Sequence, residues 1–157
     1  MWSAPMRMSP RTIGWAFVGV QALLLATLVL LPGRDDFEPP GWVRTAADVL
    51  FWLGLALIVL AAAFLGRSLT ATPLPLDRAE LRTTGPYRWA RHPIYSGVIL
   101  VVIALSVRSG SALAVVIGAA TLAFFIVKSS WEERRLAERF PDYGSYAART
   151  GRFFPGW

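Results

Sequence analysis

Four apolar stretches separated by short charged segments dominate the chain. Residues 12–31 form a long uncharged run, and a second apolar run covers 46–65. A membrane-spanning helix needs about 20 apolar residues, so both runs are long enough to cross a bilayer. A third run, 93–107, is shorter, and a fourth covers 112–127. The pattern predicts an all-α integral membrane protein with about four transmembrane helices.

The last two apolar runs predict a helical hairpin, because only the short polar segment 108–111 separates them. The fourth helix is expected to continue out of the membrane through 128–140, where Glu, Arg, Leu and Ala favour helix. The first run is too long for a signal-peptide core and no small-residue cleavage site follows it, which indicates a retained span.

We interpret the chain as one domain, 1–157, in two parts. Residues 1–66 hold the two N-terminal spans, and 67–157 hold the hairpin and a C-terminal tail. The polar stretch 66–92, rich in Pro and charge, is predicted to be an interfacial loop with a short amphipathic turn.

Basic residues are distributed unequally between the loops. Of the 16 Lys and Arg residues, 13 fall in the N-terminus, the stretch 66–92 and the tail, and 3 in the other two loops. By the positive-inside rule both termini should be cytoplasmic. The basic side chains behind the net charge of +6 would then bind anionic lipid headgroups. We therefore expect membrane lipids as partners and no nucleic acid. Lys128 is the one lysine, so nearly all of the basic residues are arginine. Such a bias is typical of GC-rich genomes, and we expect a bacterial inner-membrane protein.

Metal and disulfide chemistry is not indicated by the composition. The chain has no cysteine, and His92 is its one histidine. We therefore predict no metal site.

The segment 85–97 abuts the third run and allows two interpretations. In the structural one, Pro93 begins a helix, Arg88 and Arg91 reach the headgroups, and the aromatic residues lie at the interface. In the functional one, the helix start and Arg91 bind an anion, and His92 donates a hydrogen bond or moves a proton. Gly97 would let another backbone or a ligand approach closely.

Glu132 and Glu133 lie where the fourth span leaves the membrane. They form either a solvated helix face paired with Arg135 and Arg134, or a pair of carboxylates for ribose hydroxyls or an ammonium group. The hairpin brings them beside the segment 85–97, because its two ends must lie together.

These two segments resemble a known family. Gly85-Pro86-Tyr87 followed by Arg91-His92-Pro93-x-Tyr95-x-Gly97 is similar to the signature of the membrane methyltransferases, the isoprenylcysteine carboxyl methyltransferase and phospholipid N-methyltransferase group. Glu132-Glu133-x-x-Leu136, then Phe140, Tyr143 and Tyr146, then 152–155, resembles their C-terminal motif in the right order. The resemblance covers about half the chain.

The resemblance implies S-adenosylmethionine as cofactor, in a cytoplasmic pocket without a Rossmann fold. The motif residues matching the family's cofactor pocket are Tyr87, Arg91, His92, Tyr95, Gly97, Glu132 and Glu133. Arg91 suits the carboxylate of the donor and the glutamates its diol or ammonium, while Tyr95 suits its sulfonium through cation–π attraction. We expect His92, Arg91 and Glu133 to be catalytic.

The sequence therefore predicts methyl transfer to a lipid-like or small hydrophobic acceptor, with a carboxylate, amine or thiol as the accepting group. Two alternatives stay open. One is an NADPH-dependent, sterol-reductase-like membrane enzyme, in which Arg82, Arg88 and Arg139 would bind the 2′-phosphate. The other is a non-catalytic membrane protein.

Overall fold

The structure is a computed structural model that describes residues 9–31, 36–66 and 80–156. In this part of the chain the secondary structure is helical, apart from one isolated bridge between Ala90 and Gly151. The α-helices, in chain order, are α1 (Pro10–Leu30), α2 (Gly41–Leu65), α3 (Pro93–Arg108), α4 (Ala112–Arg139) and α5 (Tyr143–Arg149). A 3-10 helix, Gly85–Arg88, precedes α3. The predicted all-α class is confirmed.

Three of these helices, α1, α2 and α4, are long and apolar enough to cross a membrane. The helix α3 is shorter: its 16 residues span about 24 Å at 1.5 Å per residue, less than the hydrocarbon thickness of about 30 Å. The integral membrane class is confirmed, with three full-length candidate spans and one shorter apolar helix among the described residues.

The predicted hairpin is formed by α3 and α4. Gly110 adopts a φ of +64° in the turn between them, a conformation that favours glycine. Ser111 then caps α4, since its Oγ accepts a hydrogen bond from the Ala114 N–H at 3.4 Å. As predicted, α4 continues beyond the apolar run, to Arg139.

Helix α2 packs closely on α3 through two glycines. A Cβ on Gly97 would lie 2.6 Å from the carbonyl oxygen of Gly54, and a Cβ on Gly54 would lie 2.6 Å from that of Gly97. Such distances exclude any side chain at this crossing. Small residues that let two backbones approach in this way are typical of helix packing in membranes.

The loops of the chain lie at two opposite ends of the helices. At one end, the Phe37 N–H donates to the Gly110 carbonyl at 3.1 Å, and Arg108 forms an ion pair with Asp48 at 2.9 Å. The 3-10 helix and the start of α3 lie with the C-terminal tail at the other end. The loop between α1 and α2 therefore shares an end with the hairpin turn, as the predicted topology requires.

Part of the predicted interfacial loop 66–92 lies outside the described residues, namely 67–79. The described remainder contains the 3-10 helix Gly85–Arg88, and the amphipathic turn stays a prediction.

Candidate active site

The C-terminal tail holds the segment that leads into α3. The backbone N–H of Arg91 donates to the Gly151 carbonyl at 2.8 Å, and that of His92 donates to the Arg152 carbonyl at 3.0 Å. Ser96 adds a third link, because its Oγ donates to the carbonyl of Phe153. The start of α3 and the tail thus form one unit, although α4 and α5 lie between them in the chain.

Glu133 lies at the centre of the charged cluster. Its Oε1 accepts hydrogen bonds from Arg91 Nε at 2.9 Å and Arg152 Nε at 3.2 Å, and its Oε2 accepts one from Arg152 Nη2 at 2.8 Å. The Glu133 side chain is 15% exposed. Two guanidinium groups at these distances favour its ionised form. Glu133 is therefore not the solvated partner of Arg134 that the structural interpretation requires.

His92 lies between the two glutamates. Its Nδ1 is 3.4 Å from Glu132 Oε2, and its Nε2 is 3.3 Å from Glu133 Oε1. The second contact is not aligned for hydrogen bonding, so Nε2 is a buried nitrogen without a hydrogen-bond partner among the described residues. The imidazole also stacks on the Tyr95 ring, at 5.4 Å between centroids and 2° between planes.

Glu132 is the more deeply buried of the two carboxylates, with a side chain 12% exposed. Its Oε1 accepts a hydrogen bond from the Tyr95 hydroxyl. A buried carboxylate requires such partners, since an unpaired charge would be costly. Tyr95, His92 and Glu132 therefore fix one another's orientation.

Arg91 has further partners of its own. Besides Glu133, its Nη1 donates to the backbone carbonyls of Ala147, at 2.9 Å, and Thr150. These contacts connect the segment before α3 to the end of α5. In the structure the Arg91 side chain thus links the segment 85–97 to the C-terminal tail. Binding of a ligand carboxylate by Arg91 stays a prediction.

Two other predicted site residues make contacts that support the fold. The Tyr87 hydroxyl donates to the Ala61 carbonyl at 3.4 Å, and the Tyr87 carbonyl accepts from the Tyr146 hydroxyl at 2.6 Å. The close approach that Gly97 permits is to the backbone of α2 at Gly54. For both, a direct contact with a cofactor stays a prediction.

The tyrosines of α5 are buried beside the cluster. Burial raises the pKa of Tyr146 to about 12, so its hydroxyl stays protonated and able to donate to Tyr87. Burial, and next the charge of Glu133, raise the pKa of Tyr143 above its ordinary value. The Tyr143 hydroxyl is buried and has no hydrogen-bond partner in the described part of the chain.

Sequence reasoning missed a polar contact inside the helix bundle. Lys128, 3% exposed, donates to Gln21 Oε1 of α1 at 2.5 Å. Its Nζ also lies 4.8 Å from the centroid of the Tyr95 ring. Lys128 is thus a cationic neighbour of the Tyr95 ring, and the contact of this ring with a donor sulfonium, which the family resemblance implies, stays a prediction. The signal was available, because a lone lysine at the end of an apolar run requires a polar partner.

Arg152 was not predicted as a site residue either. It forms the bidentate contact with Glu133, and its Nη1 also donates to Ser130 Oγ at 3.0 Å. Its position in the C-terminal motif could have identified Arg152 as a site residue. Among the described residues, no group of three or more His, Cys, Asp and Glu side chains has the arrangement of a metal site.

The segment 85–97 and the end of α4 thus meet at Glu133. The chain was also compared with models of known protein families. The family model for phospholipid methyltransferase matches residues 42–143, which is most of the chain. The chain belongs to the phospholipid methyltransferase family. The matched range includes α2 to α4, so α1 lies outside it.

Two curated relatives carry other names. The nickel-cobalt-cadmium resistance protein NccN of Alcaligenes xylosoxydans xylosoxydans is 30% identical over 145 residues, which is 91% of this chain and 64% of the relative. The cobalt-zinc-cadmium resistance protein CzcN of Cupriavidus metallidurans is 37% identical over 138 residues, 87% of this chain and 60% of the relative. The chain therefore spans less than two thirds of the length of either relative.

Proposed function

We propose that this protein transfers a methyl group from S-adenosylmethionine to a lipid-like or small hydrophobic acceptor, at the cytoplasmic face of a bacterial inner membrane. The observation that carries the proposal is the convergence of Arg91, His92 and Glu133, from two motif segments, in a chain of the phospholipid methyltransferase family. The asymmetry of basic residues supports the cytoplasmic orientation.

The residues at the cluster fit this donor in chemical type. S-adenosylmethionine carries an ammonium, a ribose diol, a carboxylate and a sulfonium. Glu132 and Glu133 provide acceptors for the ammonium or the diol. His92 Nε2 and the Tyr143 hydroxyl are buried polar atoms without a partner among the described residues, and such atoms are rare unless a ligand or water satisfies them.

Positioning is the main task of these residues in the proposed reaction. When bound, the donor supplies an electrophilic methyl group, and its sulfur keeps the electrons of the broken carbon–sulfur bond. Arg91 and Arg152 hold the Glu133 carboxylate from two sides, and Tyr95 and His92 orient that of Glu132. Side chains fixed in this way hold the two reactants in line and do not need to move during the reaction. This alignment accounts for much of the rate gain in such displacements.

The need for a proton acceptor depends on the accepting group. A carboxylate or thiolate acceptor requires none, whereas an amine loses a proton on methylation. His92 Nε2 is the candidate in that case, because it is a buried nitrogen that makes no hydrogen bond to any of the described residues. Glu133 is less suitable, since its two arginine partners favour the ionised, hydrogen-bonded carboxylate.

Calorimetry on the purified protein in detergent tests the proposal. We expect S-adenosylhomocysteine to bind with 1:1 stoichiometry and NADPH not to bind. Binding of NADPH alone would favour the sterol-reductase-like alternative. Binding of neither would favour a non-catalytic membrane protein and would contradict the proposal.

A further inference from the structure

Lys128 is a buried cation in the helix bundle, at the end of the apolar run of α4. A lysine in such a position commonly extends its ammonium group to the lipid headgroups, but Lys128 is only 3% exposed. Its Nζ donates to Gln21 Oε1 of α1 and lies 4.8 Å from the centroid of the Tyr95 ring. An ionisable side chain enclosed inside a membrane bundle is rare unless it contributes to function.

Tyr95 connects this lysine to the candidate active site. The Tyr95 ring stacks on the imidazole of His92, and the Tyr95 hydroxyl donates to Glu132 Oε1. Lys128 also precedes Glu132 by four residues on α4, so the two side chains lie one turn apart on the same face of the helix. The charge of Lys128 attracts both the ring of Tyr95 and the carboxylate of Glu132.

Gln21 makes α1 part of this arrangement. Its amide oxygen is the one hydrogen-bond acceptor of Lys128 among the described residues. The family model matches residues 42–143 and does not include α1. The contact between Gln21 and Lys128 therefore links a helix outside the matched range to residues of the candidate site.

The stability of the fold does not require this polar contact. Replacing both members of a buried polar pair by apolar side chains of similar size is often neutral or stabilising, because no group then has to be buried away from water. Packing of α1 on α4 is provided separately by Phe17, whose ring centroid lies 5.9 Å from that of Phe124 and 5.6 Å from that of Trp131.

We propose that Lys128, held by Gln21, is a positioning residue that fixes Tyr95 and Glu132 and, through them, His92. This rests on the proposed function in one respect: under it, the arrangement so fixed is the one that binds the methyl donor. Lys128 is enclosed by the protein, so it acts through Tyr95 and Glu132 and not by touching the donor.

A double variant separates positioning from packing. Gln21→Leu combined with Lys128→Met makes both partners apolar, whereas Phe17→Leu weakens the packing of α1 and keeps the polar contact. We expect the double variant to keep the Tm of wild type and to bind S-adenosylhomocysteine about 3- to 10-fold more weakly, as for the loss of one hydrogen bond. Phe17→Leu should lower the Tm and leave this affinity unchanged.

His92 reports the effect without any methyl donor, because it is the one histidine of the chain. Isotope-labelled histidine therefore gives the NMR signals of a single imidazole. We expect one sharp set for wild type and Phe17→Leu, and broadened or multiple signals for the double variant. If the double variant does not elute as wild type on size exclusion, Gln21→Asn takes its place with the same expectations, because it keeps the amide but withdraws it from Lys128.

Failure of this inference can be distinguished from failure of the proposed function. If wild type binds S-adenosylhomocysteine, unchanged affinity or unchanged His92 signals in the folded variant would overturn positioning by Lys128 and leave the proposed function in place. If wild type binds no methyl donor, the proposed function is overturned, and the His92 signals alone decide whether Lys128 orders the cluster.

Discussion

Arg91 and Glu133 lie 42 residues apart in the chain, and their side chains form an ion pair of 2.9 Å. Arg91 belongs to the segment before α3, and Glu133 to the part of α4 beyond its apolar run. The hairpin places them side by side, and Arg152 of the tail binds the same carboxylate. The candidate site thus depends on one glutamate that joins three parts of the chain.

Glu133→Gln should weaken donor binding. The change removes a charge that accepts hydrogen bonds from Arg91 and Arg152, and a charge-assisted hydrogen bond to a ligand contributes about 1.5–3 kcal/mol, or about 10- to 150-fold in affinity. Calorimetry with S-adenosylhomocysteine measures the change. Glu138→Gln is the control, since Glu138 is 63% exposed and pairs with Arg135 on the same helix. Equal affinities in the two variants would remove Glu133 from the site.

The two nitrogens of His92 can be distinguished by substitution. The amide of Asn best replaces Nδ1, which lies near Glu132. That of Gln best replaces Nε2, which lies near Glu133 and makes no hydrogen bond to the described residues. If Nε2 contacts the donor, His92→Asn should lower turnover by about 100-fold or more, and His92→Gln by less. Turnover is measured for variants that elute as wild type on size exclusion. Full activity of His92→Asn would return His92 to a structural role.

Gly97→Ala should destabilise the fold whether or not a ligand is present. The added Cβ would lie 2.6 Å from the Gly54 carbonyl oxygen and 2.7 Å from Ile58, so α2 and α3 must separate. Overpacking of this kind costs about 1–3 kcal/mol. Thermal unfolding in detergent, followed by circular dichroism, should show a lower Tm. Gly19→Ala is the control, because a Cβ there meets none of the described residues within 4 Å. An unchanged Tm in Gly97→Ala would show that the crossing is looser than described.

The orientation of the protein in the membrane can be determined by labelling single introduced cysteines, since the chain has no cysteine of its own. We expect Phe37→Cys to react with an impermeant maleimide added to intact cells, and Thr83→Cys to react only after the cells are opened. The reason is the excess of basic residues on the side of Thr83. Labelling of Thr83→Cys but not Phe37→Cys in intact cells would reverse the topology.

The sequence predicted the membrane class, the hairpin and the extension of α4 well, because long apolar runs and helix-forming charged residues act locally. It also predicted that Glu133 would lie beside the Arg91 segment, since the ends of a hairpin must meet. The third apolar run was counted among about four spans, and the helix it forms, α3, is shorter than α1, α2 and α4.

The partners of the predicted residues could not be read from the sequence. The contacts of Arg91 with the carbonyls of Ala147 and Thr150 depend on how the tail folds back, which no local pattern encodes. The crossing of Gly54 and Gly97 likewise requires the packing of two helices. Lys128 and Gln21 meet because α1 packs on α4, and α1 lies outside the residues matched by the family.

Whether the cluster around Glu133 supports methyl transfer can be measured by following a labelled methyl group into lipid. Membranes containing the wild-type protein, Glu133→Gln or Glu138→Gln are incubated with methyl-labelled S-adenosylmethionine, and the organic extract is counted. We expect label in the extract for wild type and Glu138→Gln, and strongly reduced label for Glu133→Gln at limiting donor. Methyl transfer by this cluster would be excluded by extracts without label above that of membranes lacking the protein, or by equal label for all three forms at limiting donor.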